Sequence, residues 1–140
     1  MAETRNEAAV RSLLDAWNRN DWEALERSYA ADAIVVAPEG WPESETQRGW
    51  PGIRSQFERL KDSWSKEQFE LATVELAGDV VLVSGRWRAR GAESGIDLDL
   101  PMWMLIALKD GIAQHVEFYL DGTRLEAAST TRRVKRASEV

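Results

Sequence analysis

The chain has 140 residues, 44% hydrophobic and 30% charged, with a net charge of −6 and no cysteine. That fits one compact domain with enough apolar side chains for a core, and it excludes a disulfide scaffold, a thiol nucleophile and a general nucleic-acid binder. The single histidine, His115, excludes a zinc site of several histidines and any mechanism needing two imidazoles.

No apolar run approaches the ~18 residues of a membrane helix. The opening "MAETRNEAAV" lacks the basic-then-apolar layout of a signal peptide, so a cytoplasmic protein is expected, with no membrane partner. No acid-rich loop motif suggests calcium or magnesium. No metal and no cofactor are expected.

In chain order, a first helix is expected over residues 4–19. Thr4 and Glu7 have capping-box spacing, and Val10, Leu13, Leu14 and Trp17 form one apolar stripe. Asp21 is placed to cap a second helix, where Trp22, Leu25 and Tyr29 share a face. A strand over 33–37 follows. Then comes "PEGWPESETQRGW", bracketed by Trp41 and Trp50; with glycines at 40 and 49, residues 39–50 read as a movable lid. Pro51 suits the first turn of a third helix, whose buried stripe is Ile53, Phe57, Leu60 and Trp64.

The rest reads as strands at 67–77, 80–90, 97–108 and 112–120. Their turns are Gly78-Asp79, "GAESG" and the three-residue loop Lys109-Asp110-Gly111. A short helix over 122–128 closes a single domain, 1–128. Residues 129–140 form a basic tail, with Arg132, Arg133, Lys135 and Arg136, expected to be disordered. Helices followed by a strand meander make an α+β fold, the N-terminal helices packed on the inner face of a curved antiparallel sheet.

Strand alternation sorts the residues of that sheet. A turn at "GAESG" sets Trp87 opposite Leu100, Gly85 opposite Met102 and Val83 opposite Met104. It also sets Arg88 opposite Asp99 and Arg90 opposite Asp97, so apolar meets apolar and opposite charges meet. The three-residue loop then sets Met102 opposite Phe118 and Met104 opposite Val116. The inner face becomes apolar except for Gln114. An amide there needs a partner, from backbone, a core tyrosine or a ligand. The outer face carries Trp103, Leu105, His115, Glu117 and Tyr119, too apolar to be left wet, and a homodimer through these residues is expected.

These stretches, "LLDAWNRNDWEALERSYAADAIVVAP", "GWPGIRSQFERLKDSW", "GDVVLVSGRWRARGAESGI" and "LKDGIAQHVEFYLDGTRLEAA", resemble in their order the SnoaL-like domains of the nuclear transport factor two-like superfamily, with its cystatin-like α+β cone. The resemblance covers residues 5–128. It implies a deep pocket between sheet and helices, and a dimer through the outer sheet face. It also implies relatives that act as limonene epoxide hydrolase, ketosteroid isomerase or polyketide cyclase. At the positions where the hydrolase pattern has polar groups, this chain has Val35, Ala37, Gly85, Trp87 and Phe118. The isomerase base falls on Ala37 and its helix-one tyrosine near Leu13.

Three readings stay open. One is a binding module for a small hydrophobic molecule, held by Trp17, Trp64, Trp87, Met102, Met104 and Phe118, with Gln114 as polar handle and Gly85 leaving room opposite Met102. Another is an enzyme of the cyclase, isomerase or hydrolase type using other polar groups, among which Tyr29, Gln114, Asp15 and Glu39 are candidates. The last is a structural dimerisation domain whose cone is filled by its own side chains.

Overall fold

A computed structural model describes residues 2–38 and 45–122. Helix α1 (Ala2–Arg19) and helix α2 (Trp22–Ser28) lead into strand β1 (Tyr29–Val36). A two-residue strand β2 (Gln47–Arg48) precedes helix α3 (Trp50–Ser63). Four long strands follow: β3 (Trp64–Ala77), β4 (Val80–Gly91), β5 (Asp97–Lys109) and β6 (Ile112–Tyr119). One curved six-stranded sheet runs in the order β2-β1-β6-β5-β4-β3. The sheet is mixed where a fully antiparallel one was expected, because β1 lies parallel to β6. β2, α3 and strands β3–β5 separate those two neighbours in sequence, so nothing forces the antiparallel geometry of a hairpin.

Local chemistry accounts for the element ends. The Asp21 carboxylate caps α2 by accepting from the Ala24 N–H at 3.1 Å. Pro51 sits in the first turn of α3, where its missing N–H costs nothing. α1 begins at Ala2, before the expected cap at Thr4. β1 starts at Tyr29, four residues earlier than expected. α3 stops at Ser63, so Trp64 opens β3 instead of ending a helical stripe.

The β4–β5 register is the expected one, with Trp87 opposite Leu100, Arg88 opposite Asp99 and Arg90 opposite Asp97. The β5–β6 hairpin differs. Its loop has two residues, Asp110 and Gly111, both at positive φ (53° and 77°), and Lys109 pairs with Ile112. That is the backbone a tight hairpin turn favours. A bulge then follows, since Leu108 pairs with Ala113 but Ala107 pairs with His115. Gln114 is the extra residue. Met104 therefore faces Phe118, and Ile106 faces Val116, each pairing displaced by two residues from the expected one.

The core lies between the inner sheet face and the helices. Val10, Leu13 and Leu14 of α1, Ile53 and Phe57 of α3, and Trp87, Met102, Met104 and Val116 of the sheet are buried there. A second, smaller cluster on the outer face joins Val80, Leu82, Leu105 and Ala107, with Trp103 and Tyr119 packed on it. Beyond β6 the backbone turns back, and a Cβ built on Gly122 would lie 3.0 Å from the Trp103 indole. The expected closing helix over 122–128 and the basic tail lie, but for Gly122, outside the described residues.

Candidate functional site

α1 brings Leu13, Leu14 and Trp17 to one side of an internal cavity by helical spacing. Across from them strand alternation presents Trp87 from β4, Met102 and Met104 from β5, and Val116 and Phe118 from β6. The end of β1, with Val35, Ala37 and Pro38, and the α3 residues Gln56, Phe57 and Leu60 complete the wall. The void measures about 780 Å³ with its open mouth counted, of which about 70 Å³ admits the centre of a water molecule.

Trp17, Trp87, Met102, Met104 and Phe118 line the cavity as the sequence suggested. Trp64 does not line it. Placed by the end of α3 at the start of β3, it packs behind the wall, edge-on to Trp87 at 5.4 Å between ring centroids. Gln114 is absent from the wall as well. The bulge turns it out of the inner row, and its amide nitrogen donates to the Ile112 carbonyl at 3.1 Å. Asp15 is exposed on the far side of α1, 2.9 Å from Arg19. Glu39 lies outside the described residues.

Gly85 leaves no room opposite Met102. A Cβ at Gly85 would come within 2.2 Å of the Glu70 carbonyl oxygen and 2.6 Å of the Phe69 ring. The ring of Phe69 already occupies that space, and it is Phe69 that reaches the cavity. Of the expected lid, residues 39–44 are outside the described set. The remainder is tied down: β2 pairs with β1 through Ile34 and Val35, and the Gly49 N–H donates to Ala33 at 2.8 Å. Trp50 is buried and stacked on Tyr29, with ring centroids 5.7 Å apart.

A buried carboxylate that sequence reasoning missed stands behind the wall. Glu67 has a side chain 4% exposed. One oxygen, Oε1, accepts the indole N–H of Trp17 at 2.5 Å and that of Trp87 at 2.7 Å. The other, Oε2, accepts from Lys61 Nζ at 2.9 Å. Lys61 also donates to the Trp17 carbonyl at 2.9 Å and lies 3.9 Å from the centre of the Trp17 ring, so a cation closes the C-terminal end of α1. A bulge in β3, with Lys66 at φ 53°, accompanies this arrangement. The Asn18 side chain bonds the Phe69 backbone in both directions at 2.8 Å, fixing α1 to the same strand. The signal was present: Glu67 shares the parity of Phe69 and Leu71, which places an acid in an apolar row, and Lys61 precedes it by under two helical turns.

The consequence is electrostatic. Both cavity tryptophans spend their only donor on Glu67, so they present carbon to the void. Gln56 spends its amide nitrogen on the Glu45 carbonyl at 2.9 Å. Tyr29 remains. Its side chain is buried against Trp50 and Phe57, it lines the cavity, and its hydroxyl has no hydrogen-bond partner among the described residues. Burial pushes the Tyr29 phenol above its ordinary range, so it stays protonated and is able to donate. Among the described residues no cluster of His, Cys, Asp or Glu could hold a metal ion, and no described helix is long and apolar enough to cross a membrane.

A model of the SnoaL-like domain matches residues 10–116. The chain belongs to the SnoaL-like domain family. Solved structures share its fold at low identity. A nuclear transport factor two-like protein of unknown function from Burkholderia pseudomallei is 18% identical, with TM-score 0.77 over 86% of this chain and 94% of that one. A protein described as a putative polyketide cyclase, from Xanthomonas campestris, is 21% identical, with TM-score 0.75 over 92% and 99%. TerC, co-crystallised with polyporic acid, is 19% identical, with TM-score 0.76 over 90% and 98%. No curated protein matches the sequence.

Proposed function

We propose that this SnoaL-like protein binds a small, largely apolar, ring-bearing molecule inside its cone. The observation that carries the reading is a partly open cavity walled by tryptophan, phenylalanine, methionine and aliphatic side chains from α1, α3 and the sheet. Concave apolar walls with few polar groups are how such ligands are held, and flat rings give large contact area at low entropic cost. That TerC was crystallised with polyporic acid supports the reading by analogy of fold. So do Val35, Ala37, Trp87 and Phe118, which line the void at positions where the hydrolase and isomerase patterns need acids and donors. Without a positioned base, proton abstraction loses roughly 10²–10⁴-fold, and no epoxide hydrolysis or ketosteroid isomerisation is expected.

The test is titration with fluorene and indane, followed by tryptophan fluorescence and melting temperature. Saturable quenching and a rise in melting temperature are expected. Ala37→Trp, at the rim of the void, should abolish both while leaving the apo melting temperature within a few degrees. A wild type that responds no better than Ala37→Trp contradicts the proposal and favours a filled, structural cone. A second reading, an enzyme of the cyclase type that uses the cavity to hold a reactive conformer, is favoured by the buried tyrosine and by fold neighbours described as putative polyketide cyclases. Turnover by the ligand-binding protein would separate it from pure binding.

A further inference from the structure

We propose that the Tyr29 hydroxyl is the hydrogen-bond donor of the cavity, and that the physiological ligand is a ring compound with a neutral carbonyl oxygen seated against it. The proposal rests on the binding reading above and adds to it the chemical class of the ligand.

Four observations converge. Tyr29 is 6% exposed, lines the void, and has no partner for its hydroxyl among the described residues. Among the described residues, no buried side-chain oxygen or nitrogen sealed from solvent lacks a partner, so an unpartnered hydroxyl here has to open on accessible space. The ring is held on two sides, stacked on Trp50 and set edge-wise to Phe57 at 6.0 Å. Its backbone is fixed as well, because Tyr29 is the C-cap of α2, with its N–H donating to Glu26, and the first residue of β1. The hydroxyl is therefore pre-positioned, and a ligand gains its bond without ordering the side chain.

The surroundings decide what it bonds. The other side-chain donors on the wall are committed: both indoles to Glu67 and the Gln56 amide to Glu45. A phenol kept protonated by its apolar setting offers a proton to an acceptor oxygen. Among the described residues no cationic side chain lines the void, so a carboxylate or phosphate would lose its hydration without an ion pair in return. A ketone, quinone or enone oxygen avoids that cost.

The test pairs probes of matched shape, 1-indanone with indane and 9-fluorenone with fluorene, against wild type and Tyr29→Phe. In wild type each ketone should bind about 3- to 10-fold more tightly than its hydrocarbon partner, the worth of one neutral hydrogen bond. In Tyr29→Phe that preference should vanish while hydrocarbon affinity holds. The apo melting temperature should stay level or rise, since an unpartnered buried hydroxyl contributes nothing to the empty fold. A purely structural tyrosine would instead lower the melting temperature on losing its hydroxyl. Equal ketone preference in both proteins overturns the role of Tyr29 but leaves the binding reading standing. Failure of all four probes to bind wild type overturns both.

Discussion

At the scale of single residues, the site depends on where polar atoms are spent. Two tryptophans can line an apolar cavity only if their N–H groups are satisfied elsewhere, because an unpaired buried donor costs about 1–3 kcal/mol. Glu67 satisfies both, and Lys61 balances its charge in a setting where the two side chains are 4% and 12% exposed. Glu67→Ala strands one cation and two indole donors, and should cost about 3–5 kcal/mol in denaturant unfolding. Removing the pair together, with Glu67→Leu and Lys61→Met, should recover most of that loss. If the double variant is as unstable as Glu67→Ala, the pair is not what the network depends on. Gly85→Leu is expected to unfold the sheet locally instead of filling the void, because the Glu70 backbone would be 2.2 Å from the new Cβ. A loss of about 3 kcal/mol or more should register in the same assay.

At the scale of elements, hairpin register was legible and bulges were not. The β4–β5 pairing could be read because arginines and aspartates alternate with apolar residues on both strands, so a slip by one residue would set like against unlike. A bulge leaves no comparable mark: a single extra residue at Gln114 reverses parity from there back to the turn. That is why Gln114 was expected inside and why Ala113 is inside in its place. Trp64 was misplaced for a related reason, since helical spacing runs unbroken through Ser63 and nothing in the sequence forbids one more turn.

The legible register makes its own prediction. Asp99 accepts from Arg86 at 2.6 Å and lies 3.5 Å from Arg88, and Asp97 accepts from Arg90 at 2.8 Å. The Arg86 hydrogen bond holds Asp99 below the ordinary carboxylate range, and the Arg90 hydrogen bond does the same for Asp97. A folded-state value below the unfolded one gives stability that is present above the unfolded pKa and lost as pH falls through the folded one. Carboxylate titration by NMR should find both midpoints low, and Arg86→Gln should raise that of Asp99 while sparing Asp97. No response of Asp99 would contradict the pairing.

At the scale of the molecule, the fold places an apolar void on one face of the sheet and an apolar patch on the other. On the outer face Glu117 accepts from the Tyr119 hydroxyl and sits 2.7 Å from His115 Nε2, beside a half-buried Trp103. Leu105 is already fully buried within its own chain, so it cannot be the contact residue it was expected to be. Trp103, His115, Glu117 and Tyr119 remain. A second copy is the expected cover, by the two-fold logic of self-complementary patches. Sedimentation at micromolar concentration should give a dimer for wild type, and monomer or aggregate for Trp103→Asp. A monomeric wild type would contradict the dimer.

The methionines report directly on the inner void. The chain has three; Met102 and Met104 line the cavity, while Met1 lies at the terminus. With the methionine methyls labelled in carbon-13, titration of 1-indanone should move the Met102 and Met104 resonances along saturable curves with one shared dissociation constant, and leave Met1 in place. Three methyl signals that stay fixed, or that drift together without saturating, would mean that nothing binds inside the cone.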